Sequence, residues 1–211
     1  MDCYYIFKNI KKEDIDKMLK CFGATTRFFK KDSIIMSYIS NAGVIGVVLD
    51  GVVSVCRKGA DGESFVIENL SSGDVFGEVF SNFAFDDLYV KAWSDTSIVF
   101  IEYSRIIRPC KRSCECHSVV ISNLFEILAS KLGAYSERIE VLSKRSIRDK
   151  VLTYFEILSR KSLSKSFVIP FSYTEFAEYL GVDRAAMTRE ISNLKEDGLV
   201  LSQGRKITLK Y

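Results

Sequence analysis

The chain has 211 residues, 30 Lys and Arg against 27 Asp and Glu for a net charge of +3, and 47% of its residues are hydrophobic. That length fits two domains better than one or three, and the apolar share supplies a sizeable core. No apolar run is long enough to cross a bilayer, and the start Met1-Asp2-Cys3-Tyr4-Tyr5 lacks the basic and apolar segments of a signal peptide. No membrane partner is expected, and a cytoplasmic chain with reduced cysteines is.

In chain order, a short helix over about Lys12 to Phe22 comes first. From Phe28 to Tyr103 the apolar runs Ser33 to Ile39, Ile45 to Leu49, Val52 to Arg57, Ser64 to Asn69, Tyr89 to Trp93 and Ser97 to Tyr103 are broken by turn residues. Asp50-Gly51, Ala60-Asp61-Gly62 and Ser72-Gly73-Asp74 are the breaks, so a compact antiparallel roll or barrel is expected.

Next comes Cys110-x-x-x-Cys114-x-Cys116-His117, three of the six cysteines beside the single histidine. Thiols and an imidazole this close are candidates for a metal, an iron-sulfur cluster or a redox switch, and equally for plain reduced thiols. The spacing is not that of a zinc finger. With one histidine, a histidine-rich metalloenzyme site cannot be assembled, and no residue set is poised for catalysis.

From His117 to Leu142 the period becomes helical. Ile121, Phe125, Leu128, Leu132, Tyr135, Ile139 and Leu142 follow one another at alternating four and three, an unbroken heptad seam. Ser130, Lys131, Ser136, Glu137 and Arg138 flank it. A narrow seam of this kind needs a partner, and a two-stranded coiled coil within a homodimer satisfies it better than burial against the roll does.

A helix from about Ser146 to Lys161, with Val151, Phe155 and Leu158 inward, leads to the last module. Ser172 and Glu175 make a capping box for a helix whose inner face is Phe176, Ala177 and Leu180, and Gly181 ends it. Asp183 caps a second helix that runs to about Glu196. Ala186, Ile191 and Leu194 are expected inside it, with Arg184, Met187, Thr188 and Arg189 outside. Leu199 to Leu201 and Lys206 to Leu209 form a hairpin whose tip carries Arg205 and Lys206. Two capped helices at a tight turn followed by a basic wing make a DNA-reading head, with Ser172, Thr174, Asp183, Arg184, Ala185, Met187, Thr188, Arg189, Arg205 and Lys206 as candidate contacts. Residues 143–211 hold thirteen Lys and Arg against eight Asp and Glu, +5, which leaves −2 for residues 1–142. Positive charge gathers where phosphates would be met.

A β-roll, a long dimer helix and a C-terminal winged helix, in that order, resemble the Crp-Fnr family of bacterial transcription regulators. The resemblance is carried by G-V-I-G-V-V-L-D-G-V-V from Gly43 to Val53, by G-D-V-F-G-E from Gly73 to Glu78, and by Asp183-Arg184 with Arg189-Glu190 on the second reading helix. It implies an α+β chain: an N-terminal antiparallel β-roll sensor domain of cyclic-nucleotide-binding type over 1–116, a dimerisation helix over 117–142, and a winged helix-turn-helix over 143–211. It also implies double-stranded DNA with an inverted-repeat operator as partner, RNA polymerase as a further candidate, and an effector bound in the roll.

Relatives that bind cyclic AMP hold its phosphate with backbone amides and an Arg-Ser pair, and its ribose with a Glu. Gly77 and Glu78 keep part of that loop, but Asp86 and Asp87 stand where the Arg-Ser pair would. Each carboxylate beside a phosphate costs on the order of 1 to 4 kcal/mol at surface-like dielectric. Cyclic AMP is therefore not the expected ligand, and the effector is unidentified. Tyr135 occupies the place of a small hydroxyl residue on the dimer helix, with Ser136 beside it. Phe76, Phe80, Phe83 and Phe85 either admit an aromatic or apolar ligand or simply fill the roll. The cysteine patch is similar to one in anaerobe-type members of the family. Two other classes remain open: a cyclic-nucleotide-binding regulatory subunit, and a metal or redox protein built on the Cys110 to His117 patch.

Overall fold

A computed structural model describes residues 5–38, 43–59, 62–77, 87–108 and 115–211. The elements follow the expected order: a 3-10 turn Tyr5–Phe7, α1 Lys12–Cys21, β1 Thr25–Phe29, β2 Ile34–Ser37, β3 Val44–Asp50, β4 Val53–Lys58, β5 Ser64–Leu70, β6 Val75–Phe76, β7 Leu88–Ala92 and β8 Thr96–Glu102. After these come α2 Tyr103–Ile107, α3 Glu115–Leu142, α4 Ile147–Ser162, β9 Ser166–Val168, α5 Tyr173–Leu180, α6 Arg184–Glu196, β10 Val200–Gln203 and β11 Lys206–Leu209. Among the described residues no helix is long and apolar enough to cross a membrane. The chain divides into two compact units, Met1–Ala129 and Ser130–Tyr211, the division falling along the sequence of α3.

The first unit is the expected roll, two antiparallel four-stranded sheets in the orders β1-β8-β3-β6 and β2-β7-β4-β5. The apolar run Val44 to Leu49 is continuous because its sheet is covered on both faces. Ile45 and Val47, with Val99 and Ile101 of β8, pack against Met18 of α1, Phe22 just after it, and Val120 and Leu124 of α3. Val48 and Ile98, each adjacent in sequence to one of these residues, turn to the other face and meet Val53, Val55, Leu88 and Val90 of the second sheet. Asn123 fixes the start of α3 on this unit by donating from Nδ2 to the carbonyls of Ile6 at 3.0 Å and Lys8 at 2.8 Å.

Gly77 follows β6 at φ +90°, and a Cβ there would lie 2.4 Å from the Val44 carbonyl oxygen. Left-handed backbone and a close approach both demand glycine. Gly77→Ala is expected to destabilise the chain by about 1–3 kcal/mol, read as a lower midpoint of urea unfolding at unchanged slope.

The second unit begins with the last turns of α3. Val141 is fully buried in a core formed with Phe155, Phe176, Leu180, Ile191, Leu194, Val200 and Ile207. Glu137 is paired with Lys161 at 2.5 Å, and the Arg138 guanidinium lies 5.4 Å from the centre of the Tyr179 ring. Tyr154 sits among Phe171, Phe176 and Tyr179, and burial raises its hydroxyl pKa. The wing is three-stranded, in the order β10-β11-β9, where the sequence had suggested a two-stranded hairpin. Its turn is also tighter than expected, because Gln203 still pairs with Lys206.

Candidate nucleic-acid interface

The reading head is built from local signals. Ser172 caps α5, accepting from the Glu175 N–H at 3.3 Å, while the Glu175 carboxylate accepts from the Ser172 N–H at 2.7 Å. Gly181, at φ +62°, turns the chain out of α5. Asp183 then caps α6, its carboxylate accepting from the Ala186 N–H at 2.8 Å.

Tertiary contacts hold this geometry. From the first turn of α4, Arg148 reaches Glu190 at 3.2 Å and Asp197 at 2.5 Å, tying both the middle and the end of α6 to α4. The Asp197 contact is the leading cause of the raised Arg148 pKa. Lys150 donates to the Leu180 carbonyl at 3.1 Å, closing the end of α5. At the start of α5, the Tyr173 hydroxyl donates to the Gly204 carbonyl at 2.9 Å, which brings the wing tip beside the α5 N-terminus.

Among the sequence candidates, Ser172, Thr174, Asp183, Arg184, Ala185, Thr188, Arg189, Arg205 and Lys206 are all exposed. Arg184 and Arg189 make no ion pair among the described residues. Met187 is a correction: expected outside, it is fully buried in the core of this unit. The helix phase explains the error. Met187, Ile191 and Leu194 fall at spacings of four and three and share one face, whereas Ala186 lies about 100° from Met187 and is only half-buried. Arg148 and Tyr173 were not singled out from sequence. Their partners lie 42 and 31 residues away, beyond the reach of any local pattern.

The capping box adds a pH dependence. The Ser172 backbone N–H, then its side chain, holds the Glu175 carboxyl below its ordinary value of 4.5, with nearby Arg205 as a smaller cause. A lowered carboxyl stabilises the fold above the unfolded value and loses that stabilisation as pH falls through the lowered one. Glu175→Gln should therefore flatten the acid limb of the stability profile below about pH 4.5, and Ser172→Ala should cost about 1 kcal/mol at neutral pH, both read by thermal unfolding.

The α3 seam divides by exposure. Phe125, Leu132 and Ile139, seven residues apart, are 70%, 68% and 68% exposed, and Leu142 is also exposed. Ile121 and Leu128 are partly buried against the core of the first unit, and Tyr135 is half-buried.

The expected effector residues are only partly described. Glu78 and Asp86 lie outside the described residues, as do Phe80, Phe83 and Phe85. Asp87 is paired with Arg57 of β4 at 2.6 Å, so its carboxylate is already matched by a cation. Ser136 is exposed on α3. Of the cysteine patch, Cys110 and Cys114 lie outside the described residues, Cys116 is half-buried, and His117 is buried with its ring edge-on to Phe22 at 4.8 Å. Among the described residues no group of three or more metal-ligating side chains comes together.

Residues 149–211 match the Crp-like helix-turn-helix domain. The chain is similar to the transcriptional activator protein FnrL of Cereibacter sphaeroides, 26% identical over 92 residues, an alignment that spans 39% of this chain and 37% of that protein. It is similar also to the cAMP-activated global transcriptional regulator CRP of Pasteurella multocida, 21% identical over 77% of this chain and 78% of that one. The solved structure of CprK complexed with OCPA has the same fold, with a TM-score of 0.70 at 14% identity over 100% of this chain and 98% of that one.

Proposed function

We propose, from the premise that this chain belongs to the Crp-Fnr family of transcription regulators, that it is a homodimer that reads an inverted-repeat operator and is controlled through its β-roll. One observation carries the reading: α6, capped by Asp183 and held by Arg148, leaves Arg184 and Arg189 exposed and without an ion pair among the described residues, in a module whose wing is held beside it by Tyr173. Donors on a rigid helix are what major-groove recognition needs. The half-exposed α3 seam supplies the two-fold symmetry. Ile139 of the seam and Val141 of the reading-head core are two residues apart on one rigid helix, so a change in seam packing is passed to the head. A roll that shifts this interface between two states would set the spacing of the two reading helices, and with it access for RNA polymerase.

Selection of bound duplexes from random DNA tests the proposal. An inverted repeat with half-site centres about one helical turn apart is expected, and failure to enrich any motif would refute it.

Cyclic AMP is not the effector in this reading, although the Pasteurella relative is named for it. Asp86 and Asp87 occupy the phosphate position of the resemblance, and Arg57 is engaged by Asp87. Calorimetry is expected to give no binding at micromolar cyclic AMP. A micromolar affinity would mean that Arg57 leaves Asp87 to serve the phosphate.

A further inference from the structure

The last two turns of α3 present two opposed faces. Glu137, Val141 and Arg138 span about 100° of the helix surface, and Ile139 lies about 100° beyond Arg138, turned away from all three. The first face is fastened to the reading head at three points: Glu137 to Lys161 of α4, Val141 in the core, and Arg138 over the Tyr179 ring of α5, 5.4 Å from its centre. The opposite face carries the exposed Ile139 of the seam.

Arg138 is the unusual fastening. The Tyr179 ring beneath it is itself wedged, with the ring centres of Tyr154 and Phe171 at 5.1 Å and 5.3 Å. The guanidinium sits so close that Nε is shielded from water, yet Nε has no hydrogen-bond partner among the described residues. Leaving a buried N–H unpaired is costly, and a long side chain at a helix surface would swing out into water unless the ring held its charge. The Glu137 pair is half-exposed and holds less.

We propose that Arg138 determines the operator spacing that the dimer accepts, by fixing the reading head at one angle to the seam. This rests on the DNA-reading assignment above and adds to it. The head selects the bases of each half-site, while Arg138, a positioning residue acting through Tyr179, sets the distance and rotation between half-sites. A head held at one angle rejects a wrong spacing, and a loosened head adapts to it.

The full-length protein is tested on its selected operator and on the same duplex with one base pair added or removed between the half-sites, a rotation of about 34°. The wild type should bind either altered duplex about tenfold or more weakly. Arg138→Met keeps an apolar stem over the ring without the charge, and its spacing penalty should be about fivefold smaller. Arg138→Lys restores a cation there and should behave as the wild type. Both variants should melt near the wild type and select its half-site sequence. The proposal is overturned if the wild type tolerates either altered spacing, if Arg138→Met keeps the full penalty, or if Met and Lys change it alike, which would make bulk rather than charge the cause. A changed half-site sequence in Arg138→Met would also overturn it, since the head itself would then be deformed. Failure of the wild type to select any motif would instead remove the DNA-reading assignment.

Discussion

The Phe125→Asp, Leu132→Asp chain should sediment as a monomer where the wild type sediments as a dimer. Both side chains are about 70% exposed in the single chain, so the substitutions remove nothing from either core. In a two-fold coiled coil each would be buried twice, once from each protomer. Burying a large apolar side chain is worth about 1.5 kcal/mol or more, so losing four of them weakens the dimer by about 6 kcal/mol, or roughly ten-thousandfold. Leu128 is the wrong place for this test, because it packs on the core of the first unit and its loss would damage the fold as well. A double variant that stayed dimeric while keeping its melting temperature would show that the exposed positions are not the interface.

The reading head was the most legible part of the sequence because its signals are local. Ser172 with Glu175, Gly181 and Asp183 each act within four residues, and each does in the structure what its type and position imply. Helix phase was the weak point. Ala186 and Met187 are adjacent apolar residues, and only the four-three spacing from Met187 to Ile191 and Leu194 separates the inner one from the outer. The roll was legible as alternating runs and turns, yet its two-residue β6, like the three-residue β9 of the wing, carries too few positions for any period to register. The seam was legible as a repeat but not in its partition. Both of its rows are apolar, and only the fold distinguishes Leu128, half-covered by the roll, from Leu132. Arg148 was invisible for a different reason: an arginine with two carboxylates 42 and 49 residues away reads in sequence as a solvated cation.

The Arg189→Ala chain should bind its operator more weakly and should lose its preference at one position in each half-site. Arg189 is exposed, makes no ion pair among the described residues, and stands on a helix whose phase is fixed by Met187, Ile191 and Leu194 on the opposite side. A guanidinium set against guanine O6 and N7 contributes about 1–3 kcal/mol of discrimination, so affinity for the selected sequence should fall at least tenfold in the dimer, where the contact occurs twice. Lys206→Ala provides the contrast. On the wing it neighbours Arg205 at the tight turn after Gln203, and a phosphate contact there carries no base identity. Its loss should weaken binding to all sequences alike and reduce the slope of affinity against salt by about one counterion per protomer. Arg184 begins the helix, where the same group can meet a base edge or a phosphate, and the two signatures tell which: a relaxed position in the selected motif for a base, a flatter salt slope for a phosphate. Recovery of the unaltered motif at unaltered affinity with Arg189→Ala would take Arg189 off the reading surface and leave Arg184 as its only guanidinium.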